Sequence, residues 1–158
     1  MKFNNNFRGV AVLMFAAITC VSCKKDNGTI TTVEQPVTNP VVTAQTFTNV
    51  AYANTSGSQI MDIYIPAGTG PFPAVILIHG GAFKAGDKAM DAANAAKLVA
   101  NGYAAITINY RLSGEAVFPA AVHDCKAAVR FIRANAATYR INANKIAAWG
   151  ASAGGNLS

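Results

Sequence analysis

The chain has 158 residues, 52% hydrophobic and 13% charged, with 13 Lys and Arg against 7 Asp and Glu for a formal charge of +6. That balance suits one domain around a buried core and excludes a disordered polyelectrolyte. The basic residues are scattered and no aromatics interleave with them, so the pattern of a nucleic-acid binder is missing.

Lys2 and Arg8 precede the apolar run Val10 to Val21, "VAVLMFAAITCV". A basic start, a short apolar stretch and small residues make a secretory leader, and the run falls short of the roughly 20 residues a bilayer span needs. Val21-Ser22-Cys23 then resembles the lipobox of bacterial lipoproteins, although Cys20 stands where that pattern usually has Leu. The resemblance implies a leader over residues 1–22, lipidation at Cys23 and an exported protein held on the periplasmic or cell-surface side of a membrane. The alternative is an ordinary cleaved leader with two incidental cysteines. Cleavage before Cys23 leaves 11 basic and 7 acidic side chains, a net +4. With Cys23 lipidated, Cys125 is the one remaining thiol and an intramolecular disulfide is excluded.

Residues 23–45 are rich in Thr, Val, Asn and Pro, without periodicity, and Pro36 and Pro40 interrupt any regular element. They read as a tether to a folded domain over residues 46–158. "TFTNVAYA" and "QIMDIYIP", separated by the turn cluster "NTSGS", predict an antiparallel hairpin. "PAVILIH", Pro73 to His79, is a continuous apolar run, the mark of a strand covered on both faces. "KAMDAANAAKLVANG" predicts a helix capped by Asp87 and ended by Gly102. Ala104 to Tyr110 is a second buried strand, followed by a loop and a helix opened by Pro119. In that helix Ala121, Cys125, Ala128 and Ile132 recur at helical spacing and face the sheet. "KIAAWG" is a further strand that runs straight into a glycine-flanked serine. Strands alternating with helices imply right-handed crossovers and an α/β fold, its sheet mostly parallel after the N-terminal hairpin, with helices on both faces.

Gly150-Ala151-Ser152-Ala153-Gly154 fits G-x-S-x-G between a strand and a helix start. A serine on so tight a turn crowds the positions two before and two after it, and glycine there relieves the clash. A second motif, His79-Gly80-Gly81-Ala82-Phe83, follows the buried strand. Its glycines let main-chain amides approach a substrate oxygen, so an oxyanion hole would combine the Ala153 N–H with those of Gly80, Gly81 or Ala82. One such donor is worth about 3–4 kcal/mol of barrier. The bland reading is a glycine turn that only joins strand to helix.

On "HGGAFKAGDK" and "NYRLSGEAVFPAAVHDCKAAVRFIRANAATYRINANKIAAWGASAGGNLS" the chain resembles the α/β-hydrolase superfamily, and within it the HGG-type carboxylesterases and lipases, the hormone-sensitive-lipase-like and the feruloyl or acetyl-xylan esterase-like branches. The resemblance implies Ser152 as nucleophile, Gly80 and Gly81 as the oxyanion loop, and His79 as its support. Ala82 departs from the third glycine of many relatives but keeps its N–H. The expected substrate is a small ester such as an acetyl or feruloyl group on a carbohydrate. A peptidase of the same fold and a non-catalytic binding protein with a degenerate cleft are the competing readings.

A serine hydroxyl needs a positioned base, and in this fold the acid and then the histidine follow the serine along the chain. None of the six residues after Ser152 is acidic or histidine. His123 falls in the first turns of its helix as a surface residue, and its neighbour Asp124 points about 100° away. Cys125 reads as a small core residue. The expectation is therefore the N-terminal part of an α/β-hydrolase domain, cut after the nucleophile elbow and inactive alone. Asp87 reads as a helix cap, Arg111 as a loop-anchoring ion-pair partner, and Asp124 as a solvated or loop-bonding residue. Two separated histidines and one thiol make no metal site, and no phosphate or nicotinamide signature is present, so no cofactor is expected.

Overall fold

A computed structural model of the chain describes residues 42–158. The expected leader, Cys23 and nearly all of the tether lie outside them. Five strands form one sheet in the order β1-β2-β4-β3-β5: β1 is Gln45–Ala51, β2 Ile60–Ile65, β3 Phe72–Ile78, β4 Ala104–Ile108 and β5 Ile141–Gly150. Between them run the helices α1, Ala92–Ala100, and α2, Ala120–Ala134, and after β5 comes a short α3, Ala153–Leu157.

The predicted hairpin forms, with β1 antiparallel to β2. β2 then pairs antiparallel with β4, while β3 pairs parallel with both β4 and β5. The sheet is thus mixed in equal parts, two parallel and two antiparallel pairings, and the parallel share is smaller than the sequence suggested. The reason lies in how β2 ends up beside β4, a contact between segments some forty residues apart that no local pattern announces.

Every residue of β4 is buried, as its unbroken apolar run demands. Ile106 and Ile108, with Ile76, Ile78, Met61 and Ile63, form the larger core cluster, which α2 covers through Cys125, Ala128 and Ile132. On the opposite face Leu77 and Ala105 meet Ala95 of α1, flanked by Leu98 and Val99. Helices therefore cover both faces. Burying each such isoleucine stabilises the fold by about 1.5–3 kcal/mol.

Two predicted boundaries differ in detail. The segment after Asp87 opens with a 3-10 turn, Lys88–Asp91, before α1, and Asp87 caps that turn by accepting from the Ala89 N–H at 2.8 Å. Pro119 is the cap residue of α2 rather than its first helical residue. Gly102 ends α1 as expected, in the left-handed region at φ +81°.

Candidate active site

The site begins with strand register. Ile78, the last residue of β3, is the partner of Gly150, the last residue of β5. Two parallel strands ending in step release their following loops side by side at the same edge of the sheet. One loop is His79 to Phe83 and the other is the turn into α3. Gly80 accordingly comes close to the turn: the place a Cβ would occupy on it is 3.0 Å from the Ala151 carbonyl oxygen and 3.5 Å from Ser152 Cβ.

Ser152 sits at φ +54° and ψ −119°, a conformation that costs a non-glycine residue about 1–3 kcal/mol. Its side chain is exposed. The glycines of the motif are there for space. A Cβ on Gly150 would lie 2.7 Å from the Ile78 oxygen and closer still to Gly154, and one on Gly154 would overlap the carbonyls of Ile78 and His79.

The neighbouring loop is strained too. Gly81, Ala82 and Phe83 follow one another at φ +118°, +54° and +61°. Gly81 has no alternative, because a Cβ there would run into the Ala85 carbonyl. Lys84 and Ala85 N–H groups both donate to the Gly81 oxygen, at 2.9 and 3.0 Å. Among the described residues, the amides of Gly81, Ala82 and Ala153 make no bond to a backbone carbonyl.

His79 is buried, its Nδ1 donates to the Gly80 carbonyl at 2.7 Å, and its ring stacks on Tyr110 with centroids 4.4 Å apart. The bond to a carbonyl requires the proton on Nδ1. Tyr110 closes the arrangement by donating its hydroxyl to the His79 oxygen at 3.0 Å. Gly86, at φ +102°, is needed beside it, since a Cβ there would sit 2.6 Å from His79 Nδ1. His123 is exposed on α2, as expected.

Asp124 corrects the solvated alternative. It is 1% exposed and accepts four hydrogen bonds: from the Arg111 backbone N–H and Nε at 2.9 Å, and from Arg111 Nη2 and Gln59 Nε2 at 2.7 Å. Burial pushes its carboxyl up, but the bonds from Arg111 and Gln59 outweigh burial and hold it below its ordinary value. Four donors use its acceptor capacity, so it has nothing left for a histidine. Arg111, read from the sequence as a loop-anchoring ion-pair partner of an unnamed acid, pairs with this carboxylate. The signal for the burial was in the sequence: Asp124 lies three residues after Ala121 and four before Ala128, on the same stripe as the core positions.

Sequence reasoning missed three further supports. Lys88 Nζ pairs with Asp62 at 2.7 Å, and the Lys88 N–H donates to Asn109 Oδ1 at 2.6 Å, which pins the segment after the glycine loop to β2 and to the end of β4. The Ser113 N–H donates to the Phe83 oxygen at 2.7 Å. A pocket of about 360 Å³ opens beside that bond, lined by Phe83, Phe118, Val122 and Leu157 among apolar groups and by Arg111. No cluster of potential metal ligands occurs among the described residues.

The pattern of the BD-FAE family matches residues 61–158, from β2 through both loops and beyond the serine turn. The chain belongs to the BD-FAE family. This BD-FAE chain is also 42% identical to a solved truncated form of a carbohydrate esterase from gut microbiota, with a TM-score of 0.68 over 72% of this chain and 41% of that one. It is 34% identical to esterase LipC of Mycobacterium tuberculosis over 64% of this chain, and 40% identical to an arylesterase of Saccharolobus solfataricus over 52%. It spans 26% and 28% of the length of those two curated relatives. The fold is that of the α/β-hydrolase esterases.

Proposed function

We propose that this chain carries the nucleophile and oxyanion hole of a serine carboxylic-ester hydrolase. The observation behind it is the Ile78–Gly150 register, which sets the strained Ser152 turn beside a loop whose Gly81 and Ala82 amides have no backbone acceptor. Ser152 Oγ attacks the ester carbonyl carbon and yields its proton to a base. The carbonyl oxygen takes the negative charge and is met by the amides of Ala153 and of Gly80, Gly81 or Ala82. Collapse breaks the bond to the alcohol, which leaves with that proton, and Ser152 holds the acyl group. Water then attacks the acyl-enzyme, one proton returns to Ser152, and the carboxylic acid departs.

The base is not found among these residues. His79 is committed to Gly80 and stacked on Tyr110, His123 is exposed on α2, and the residues after Ser152 carry neither acid nor imidazole. The 158 residues by themselves are therefore proposed to lack an activated serine. His79 acts as a brace of the oxyanion loop.

The carbohydrate esterase among the relatives supports acetyl or feruloyl esters of carbohydrates as substrates. The apolar pocket beside Phe83 has room for such an acyl group. Cleavage of the leader and lipidation at Cys23 would hold the enzyme at a membrane on the exported side, where polymeric carbohydrates are encountered.

The test uses the product of the complete reading frame and its Ser152→Ala variant, with p-nitrophenyl acetate, acetylated xylan and methyl ferulate, and with a fluorophosphonate probe. Hydrolysis and labelling that both vanish in Ser152→Ala support the reading. Hydrolysis that survives in the variant overturns Ser152. Binding of acetylated xylan with neither hydrolysis nor labelling selects the non-catalytic alternative. Cleavage of peptides in preference to esters selects the peptidase.

A further inference from the structure

Three consecutive residues of the oxyanion loop hold left-handed backbone angles, and two of them, Ala82 and Phe83, are not glycine. Such a segment keeps its shape only where its surroundings over-determine it. On one side the bonds of Lys84 and Ala85 to the Gly81 oxygen close a tight turn. On the other side the Phe83 carbonyl is held by a single backbone bond, from Ser113. What fixes Ser113 therefore matters to the amides of Gly81 and Ala82.

Ser113 is exposed, in the loop between β4 and α2, and has no side-chain anchor of its own. Two residues earlier the chain is clamped. The Arg111 guanidinium grips both oxygens of Asp124, and the Arg111 main-chain N–H bonds to the same carboxylate. A forked, charge-assisted contact with an added backbone bond fixes the direction of the chain as well as its position. Gln59 holds Asp124 from the far side, and the Gln59 Oε1 in turn accepts from Thr55 and from the Ser56 N–H. The carboxylate is thus a fixed point on α2, buried and saturated.

We propose that Asp124 is the positioning residue of the oxyanion loop, acting through Arg111 and the Ser113–Phe83 backbone bond to aim the amides of Gly81 and Ala82. The inference rests on the reading of those amides as oxyanion donors. Its role is to hold the donors where charge develops on the substrate oxygen, so its loss costs transition-state binding and leaves ground-state binding intact.

The test is Asp124→Asn in the product of the complete reading frame, with two readouts. The first is kinetic: kcat on a short acyl ester falls on the order of tenfold or more, a share of the 10²–10³ that a lost oxyanion donor costs, while KM changes by less than about twofold. The affinity for a boronic acid, which forms a tetrahedral adduct on the serine, falls in parallel with kcat. The second readout needs no activity. Hydrogen exchange at the Lys84 and Ala85 amides, which close the loop on the Gly81 oxygen, quickens in the variant, while the β3 segment 75–78 exchanges as before. Unchanged exchange in a folded Asp124→Asn protein overturns the inference whether or not the wild type hydrolyses esters. Quickened exchange in a wild type and variant that are both inactive upholds the positioning and sinks the catalytic reading alone. Quickened exchange with unchanged kcat overturns the link to catalysis. Should Asp124→Asn fail to fold, Ser113→Pro removes the N–H that holds Phe83 while leaving Asp124 and Arg111 in place, and it must give the same quickening for the inference to stand.

Discussion

Gly154 lies against the carbonyl of Ile78 so closely that a Cβ on it would fall within 2.7 Å of the Ile78 carbonyl carbon and nearer still to its oxygen. Backbone meets backbone here, so no side chain can swing aside. Gly154→Ala is expected to push β3 and the serine turn apart and to destabilise the fold by about 3 kcal/mol, the upper part of the usual overpacking cost. Gly114 is the control, with nothing within 4 Å of its notional Cβ and no left-handed φ. Gly114→Ala should leave stability within about 0.5 kcal/mol of wild type. Urea denaturation of both variants decides it, and equal midpoints would mean that the elbow is less tightly packed than the geometry says.

Ser152 shows the opposite relation between a residue and its backbone. The chain bends to φ +54° at a side chain that is exposed. Ser152→Gly should therefore relieve strain and raise stability by about 1 kcal/mol net, after the extra entropy that glycine costs on folding. That corresponds to roughly 4 °C in melting temperature for a domain of this size. In the product of the complete reading frame the same variant should lose all labelling by a fluorophosphonate. A fall in melting temperature would show that the turn is not a store of strain.

How much of this was legible beforehand follows from how local each feature is. The Ser152 turn, the glycine loop and the strands before them are written in runs of five to ten residues, whereas the pairing that sets Ile78 beside Gly150 joins segments far apart in the chain. Cys125, Ala128 and Ile132 face the core for the same reason, a period that a single helix carries by itself. The burial of Asp124 is different. Its partners Arg111 and Gln59 stand 13 and 65 residues away, so the sequence left a solvated and a loop-bonding reading open although its position on the helix stripe was inward. The Ser113–Phe83 bond joins two loops, and loops carry no period from which a contact can be read. The equal mixture of parallel and antiparallel pairings depended on β2 finding β4, which is a matter of topology rather than of pattern.

The pH dependence of stability follows from groups that hold their protons in the fold. Burial, with a smaller contribution from the Asp124 charge, pushes the Cys125 thiol up to about 12. Burial chiefly raises the Tyr52 and Tyr110 hydroxyls as well. The unfolded thiol titrates near 9, so between about 9 and 12 the folded chain binds more protons than the unfolded one and stability falls as pH rises. Asp124 works in the other direction. Its carboxyl is held below its ordinary value, so its stabilisation is present above about pH 4 and is lost as pH falls through the folded value. Urea midpoints should be flat from about pH 5 to 8.5 and decline on both sides, and Cys125→Ala should make the alkaline decline shallower. Iodoacetamide at pH 8 should leave Cys125 unmodified until denaturant is added. Rapid alkylation of Cys125 in the native chain, located by peptide mapping, would contradict its burial.

The edge of the sheet at β5 carries a prediction about the 158-residue chain in solution. Among the described residues β5 pairs on one side alone, with β3, and Lys145 is the one charge in its sequence "INANKIAAWG". An apolar strand of this length with an open edge is a template for another copy. Ala147 and Ala148 are exposed on it, and so is Trp149, which is 48% exposed and is the chain's single tryptophan. Trp149 fluorescence therefore reports contact at this edge directly. In dilute solution acrylamide should quench it nearly as well as it quenches the unfolded chain. As concentration rises, self-association should cover the indole, so quenching should weaken and light scattering should grow together. Ala148→Lys, which places a charge on the same edge without touching the indole, should abolish both changes. Scattering that grows while quenching stays constant would put the contact elsewhere on the surface and clear β5.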